Sequence, residues 1–345
     1  MSNSTNTRLP YDGYNGKFEE FPSFPATTVS NVTDAQSRSS KNKISRIHTS
    51  IPSTIQAANQ GHVDAQHKLG YMYNRGEGVQ QNYSKAVEWF QIAADQGYAK
   101  SQHNLGLIYE SGHGVIQDYF KAVRWYEKAA SQGDTDAQTN LGHMYQNGRG
   151  VSQDYPTAIE WYEMAASQGN ASAQNSLGNL HYYGHGVIRD YFKAQEWYHM
   201  AARQGDADAQ NSLGFMYQNG HGVKQDISKA VEWYREAASQ EHPESQNSLG
   251  SMYKYGYGVA RDYSKAVAWF KKSASRGHPK AQNNLGSMYR DGFGIIQDYQ
   301  KAVSWYMKAA SQGDTEAQCN LGLMYQNGHG IPQDYFKAVT CIGVV

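Results

Sequence analysis

The sequence predicts an all-α solenoid, a row of helix–turn–helix units stacked along one axis. Three observations lead there. Leu-Gly recurs eight times at an unbroken 36-residue spacing, from Leu69-Gly70 and Leu105-Gly106 through to Leu321-Gly322. A fixed period of this length marks an array, because each unit buries its apolar face only against its neighbours. Within a unit the apolar residues return at helical rather than strand intervals. Each unit also carries glycine where a helix must stop, as at Gly148, Gly150 and Gly169.

Residues 134–169 show the logic of one unit. Asp134 is placed to accept hydrogen bonds from the first free N–H groups of a helix. Asn170, Asp206 and Asp314 hold the same position, and Pro243 and Pro279 stand where a first-turn proline fits. Ala137, Leu141, Met144 and Tyr145 lie at i, i+4, i+7 and i+8, one helix face. Gly148-Arg149-Gly150 turns the chain, since glycine tolerates positive φ. Asp154 caps a second helix whose Ala158, Trp161, Tyr162, Ala165 and Ala166 form one face, and Gly169 closes it. The unit is thus an antiparallel pair of helices, about three turns each. Gly142 lies inside the first helix at a cost of roughly 1 kcal/mol relative to alanine. Its recurrence in every unit calls for close approach of a neighbouring helix, with Ala137 and Ala158 on adjoining faces and Trp161 and Tyr162 filling the remaining space.

The ends depart from the period. Residues 1–50 are rich in Ser, Thr and Asn, lack a helical period, and are expected to be disordered because they bury too little apolar surface. Their aromatic patch, Phe18 to Phe24, reads either as a short motif for another protein or as part of an unstructured leader. Residues 51–345 are expected to form the solenoid, opened by a half-unit helix with Ala57, Ala58 and Gly61 one period before Ala93, Ala94 and Gly97. At the far end the register asks for tryptophan at position 341, as at Trp305, but the chain reads Thr340-Cys341-Ile342-Gly343. This incomplete unit is expected to expose Leu321 and Met324, to be covered by further chain or by self-association. Inside the array, weak points are expected at Glu241, which replaces the helix-ending Gly205 and Gly277, at His181, which replaces Tyr145 and Tyr217, and at Ile227, where a tyrosine is usual.

Bulk composition excludes several functions. Lys+Arg and Asp+Glu are equal at 31 each, with no basic stripe, so no nucleic-acid partner is expected. No apolar run approaches the roughly 18–20 residues that cross a bilayer. The first residues show no secretory signal, and Cys319 and Cys341 make no disulfide framework, so a reducing, cytoplasmic setting is expected. Gly112-His113-Gly114 and its counterparts follow no strand and precede no lysine, so they read as turns and not as phosphate cradles. The loop histidines His113, His185, His221 and His329 fall in different units, too far apart for one zinc ion with ligands near 2 Å. Asp118 and Asp154 read as helix caps. No Ser-His-Asp or Cys-His set stands out. The sequence therefore predicts no catalytic residue, no cofactor and no metal.

Leu141-Gly142 and Tyr145, with Ala158, Tyr162 and Ala165, resemble the tetratricopeptide repeat, whose period is 34 residues. The longer loop here, Gly148-Arg149-Gly150-Val151 followed by Asp154, Trp161 and Ala165-Ala166, is similar to the Sel-1-like repeat family. That resemblance covers about residues 52–340 and implies a right-handed α-solenoid that serves as a protein-binding scaffold. Cysteine-rich members pair cysteines eight residues apart; the matching positions hold Ala130 and Gln138, so those disulfides are absent. By the same analogy the runner-up functions are regulation of cell-wall (chitin) synthesis or of protein degradation, and a hydrolase is a remote alternative. Cys341 lies fifth from the end, one place too early for a prenylation box.

By analogy with tetratricopeptide arrays, residues three before and one after the helical glycine should face a concave groove. These are Thr139 and His143, Asn175 and Asn179, Asn211 and Phe215, Asn247 and Ser251, with Asn283 beyond. A row of asparagines offers donors and acceptors to the backbone of an extended peptide from a partner protein; the alternative is a solvated helix face. Asn211 and Asn247 are expected to be exposed. The reading as a whole is a non-enzymatic adaptor.

Overall fold

The computed structural model describes residues 51–341, and the expectations for residues 1–50 and for Gly343 lie outside them. The chain divides at Ser53–Thr54, and the array belongs to the larger unit from Thr54 onward. The described residues form seventeen helices and no strand. After α1 (residues 51–59) the helices come in pairs. The first helices are α2 (Val63–Arg75), α4 (Ala99–Ser111), α6 (Thr135–Asn147), α8 (Ala171–Tyr183), α10 (Ala207–Asn219), α12 (Pro243–Tyr255), α14 (Pro279–Asp291) and α16 (Thr315–Asn327). The second helices are α3 (Tyr83–Asp95), α5 (Tyr119–Ala130), α7 (Tyr155–Ser167), α9 (Tyr191–Arg203), α11 (Ile227–Ser239), α13 (Tyr263–Ser275), α15 (Tyr299–Ala310) and α17 (Tyr335–Cys341). Each first helix packs on the second helix of its own unit and on that of the preceding unit. This is an all-α solenoid.

The helix starts follow from their caps. Asp134 accepts from the Ala137 amide at 2.8 Å, and Asn170, Asp206 and Asp314 do the same for Ala173, Ala209 and Ala317. Ahead of Pro243 and Pro279 the caps are histidines, with Nδ1 of His242 and His278 each accepting a backbone N–H at 3.2 Å. The loop turns at Gly148, φ 64°, where Arg149 N–H reaches back to Met144 C=O at 3.0 Å. At Gly150 a Cβ would lie 2.3 Å from the Tyr119 carbonyl oxygen. Glycine there lets the loop rest on the start of the preceding unit's second helix.

The helical glycine has a defined cause. A Cβ on Gly142 would lie 2.6 Å from Cε1 of Tyr162. The fully buried Tyr162 ring of the unit's own second helix occupies the space a side chain would need. Ala158, Ala165, Ala173 and Leu177 complete that core, each at 0 % exposure. Trp161 packs instead on the cluster that joins Tyr126 of the preceding unit to Ala137 and Leu141 of its own.

The expected exposure at the last unit is corrected. Leu321 and Met324 are 6 % and 2 % exposed, because Ala338 on the short α17 and Tyr325 pack against them. The exposed apolar side chains of α16 are Leu323 and Cys319. Glu241 adopts φ 69° as glycine would, and its carboxylate pairs with Arg276 of the next unit's boundary. The strain is retained and tied down.

Candidate partner surface

The face formed by the first helices is built on contacts that join one unit to the next. Gln138 Nε2 donates to Ala130 C=O at 3.2 Å, eight residues back across the unit boundary. Its Oε1 accepts from Gln168 Nε2 at 3.0 Å. The same pair of bonds is made by Gln66 with Gln96, Gln102 with Gln132, Gln174 with Gln204, Gln210 with Gln240 and Gln282 with Gln312. The exception in the first seven units is Gln246. Its partner position is Arg276, which turns toward Glu241, and Gln246 Oε1 is buried without a hydrogen bond. Buried polar atoms are normally satisfied, so this junction carries a local penalty.

The groove residues read from the sequence divide into two sets. Those three before the glycine are drawn into the junctions. Thr139, Asn247 and Asn283 are only 3 %, 7 % and 2 % exposed, and Asn175 and Asn211 are half-buried. Asn284 donates to Asn247 Oδ1 at 3.0 Å and Asn320 donates to Asn283 Oδ1 at 2.9 Å. Ser245 donates to Asn211 Oδ1 at 2.8 Å, and Thr139 bonds to the Thr135 carbonyl. Exposure of Asn247 is therefore overturned: the position meets the next unit's first helix, 37 residues on. Asn175 Oδ1 has no partner, because Ser212 stands where Asn284 and Asn320 stand in their units.

Residues one after the glycine keep more solvent contact. His143, Asn179, Phe215 and Ser251 are half-buried, flanked on the last turn of the helix by exposed Asn147, Tyr183, Asn219 and Tyr255. His143 Nε2 meets Ser176 Oγ at 3.2 Å and its ring lies edge-on to Tyr162. Packing of the imidazole, reinforced by Arg149, lowers its pKa to about 4. Asn179 Oδ1 accepts from Tyr198 Oη at 2.7 Å. Phe215 packs edge-on against Tyr182 and His221. The row thus offers one variable side chain per unit on a rigid backing.

The loop histidines have a packing role that the sequence reading missed. His113, His221 and His329 stack on Tyr83, Tyr191 and Tyr299, with ring centroids 5.5, 5.1 and 4.8 Å apart, and His185 tilts against Tyr155. Phe293 does the same on Tyr263. The signal was a tyrosine at the second-helix start paired with a ring 30 residues later, broken by Arg149 after Tyr119 and by Ile227 before Tyr257. Among the described residues no group of His, Cys, Asp or Glu side chains is placed to hold a metal ion. Cys319 and Cys341 are free thiols. No helix of the described residues is long and apolar enough to cross a membrane.

The geometry defines a repeat protein, and its particular kind follows from the loop and the period together. The Sel1 repeat model matches residues 63–98, 99–134, 135–170, 171–206, 207–242, 243–278, 279–314 and 315–341. The chain belongs to the Sel1 repeat family. It is similar, at 39 % identity and TM-score 0.69, to a protective antigen present in uropathogenic Escherichia coli strains that displays this fold. The match covers 84 % of this chain and 62 % of that one, so the chain spans less than two thirds of that relative's length. A Sel1 repeat protein from Oxalobacter formigenes is 33 % identical with TM-score 0.62, the match covering 86 % of each chain. No curated protein matches the chain.

Proposed function

We propose that the protein is a non-enzymatic scaffold that binds partner proteins along the face of its first helices. Family membership supports the class, since Sel1 repeats mediate protein–protein interaction. One observation carries the reading. The core residues repeat from unit to unit, whereas the position after the helical glycine reads Tyr71, Leu107, His143, Asn179, Phe215, Ser251, Ser287 and Leu323. Variation along such a side-chain row, on a backing that repeats, is what selective recognition of an extended segment requires. The asparagines three before the glycine act mainly as the backing. The free thiols Cys319 and Cys341 fit a reducing, cytoplasmic setting.

The test is capture of partners by the full chain and by a variant carrying Phe215→Ser and Tyr255→Asn, with captured proteins quantified by mass spectrometry. Ser251 and Asn219 hold the equivalent positions in neighbouring units, so the fold tolerates both changes. Loss of specific partners at unchanged thermal stability supports the reading. An identical set of captured proteins removes this face as the binding surface.

A further inference from the structure

We propose that the loop edge between the fourth and fifth units is a second docking site, for an acidic segment of a partner protein that carries an aromatic side chain beside its carboxylates. This goes beyond the first-helix face and does not depend on it. A recess of about 510 Å³ is lined there by Arg189, Tyr191, Phe192, Val223 and Lys224, with Asp190 and two loop glycines. A second recess of about 470 Å³ shares Val223 and Lys224 and continues past Asp226 and Lys229. Lys224 thus stands between two parts of one furrow.

The furrow arises where this junction departs from the repeat. In six units a glutamine at the position of Arg189 ties the loop down. Gln153, for example, donates to the Gln146 carbonyl at 2.8 Å and to Tyr155 Oη at 3.2 Å. Arg189 instead places its guanidinium over the Tyr191 ring at 5.3 Å. One period after Ile188 the loop carries Lys224 instead of an aliphatic side chain. Arg261 repeats the first change, but its junction has Ile296 opposite, so the cation pair occurs at one junction only.

Charge selects the occupant. The carboxylates in the furrow are Asp190 and Asp226, and both are engaged in helix caps: Asp190 accepts from the amides of Phe192 and Lys193, Asp226 from that of Lys229. Arg189 and Lys224 are exposed cations in a chain whose charges balance at 31 each. Beside them Phe192 and Ile188 are 71 % and 91 % exposed, an apolar edge that a bare anion would not use. A carboxylate between the cations with a ring on Phe192 satisfies both features. Arginine and aromatic side chains are also the groups that dominate protein–protein binding energy.

The experiment uses the full chain and a fluorescein-labelled peptide, Gly-Glu-Glu-Phe-Glu-Glu-Phe-Gly, read by anisotropy. The variants are Arg189→Gln with Lys224→Ile, and Phe192→Ser. Each introduced residue already occupies that position in another unit, at Gln153, Ile188 and Ser228, so folding is preserved and is verified by circular dichroism. The expected result is salt-sensitive binding, weakened at least tenfold by the double substitution and at least threefold by Phe192→Ser. A peptide with Gln for Glu, and one with Ala for Phe, should each bind at least threefold more weakly. Tyr255→Asn, on the first-helix face, should bind as the parent does. Absence of binding at millimolar peptide, equal affinity in the double variant, or equal affinity for the Gln peptide overturns the proposal. Displacement by single-stranded DNA more readily than by unlabelled peptide does so too, since it marks a general polyanion site.

Discussion

At Glu241 and Arg276 two departures from the repeat compensate each other. Glutamate in the left-handed region is strained, because its Cβ meets its own backbone where glycine has none. The ion pair with Arg276 holds it there, but draws Arg276 away from Gln246 and leaves that amide oxygen unsatisfied. We expect the double variant Glu241→Gly, Arg276→Gln to be more stable than the parent, as it removes the strain and restores the bond Gln240 makes to Gln210 at 2.8 Å. The two single changes should fall short of additivity, since each leaves one partner stranded. Urea midpoints of the four proteins measure this, and a double variant no more stable than the parent refutes it. At Gly142 the forecast is opposite in sign. Alanine would gain roughly 1 kcal/mol of helix propensity but collide with the Tyr162 ring, and overpacking typically costs 1–3 kcal/mol. Gly142→Ala should lower the melting temperature, and a rise would mean that the ring moves freely.

At the scale of helices, period, caps, turns and the helical glycine could be read from the sequence, because each is set by residues a few positions apart. The ties between units could not. Gln138 looks like a polar residue at the edge of an apolar face, and its partner Gln168 is 30 residues away. A clue was present nonetheless: glutamine fills that position in all eight units, where a solvated face would vary. His242 and His278 were hidden similarly, each capping its own helix and touching Asp208 or Glu244 of the unit before at 3.0 and 2.7 Å. The groove asparagines were misplaced because the face was transferred from a repeat of different period. In this array the residue three before the glycine abuts the next first helix. The partly built ladder suggests a repair. Ser212→Asn would donate to the unpartnered Asn175 Oδ1 as Asn284 does to Asn247. A gain of about 1 kcal/mol is expected by denaturant titration, and no gain would show that Asn175 is already satisfied by solvent.

For the molecule as a whole, histidines packed into the array make acid the natural denaturant. Burial lowers the pKa of His67, His103 and His199 as well as that of His143. Such a group is neutral in the fold and protonated in the unfolded chain below its ordinary value near 6.5. Stability is therefore fully present above that value and is lost as the pH falls toward the folded pKa, which for His143 is about 4. His143 alone sets an upper bound of about 3 kcal/mol over that window. Denaturant midpoints at pH 7.5, 6 and 5 should fall steadily, with a shallower slope in His143→Asn, whose replacement stands at Asn179. A parent slope of zero would show that these rings stay hydrated.

The glutamine ties also bear on how such a chain changes length. Because most boundaries are fastened by the same two side chains, a unit can be cut out or copied by recombination and the new neighbours still find matching fasteners. Excision of residues 135–170 would place Asp134 before Ala171 and leave Gln132 and Gln174 with the partners they already have in kind. The shortened chain should fold with the helical content of one unit fewer, as circular dichroism can establish. The boundary at Glu241 and Arg276 is keyed differently. A crossover there would separate a matched pair and join each half to a stranger, so inheritance should favour moving those two units together.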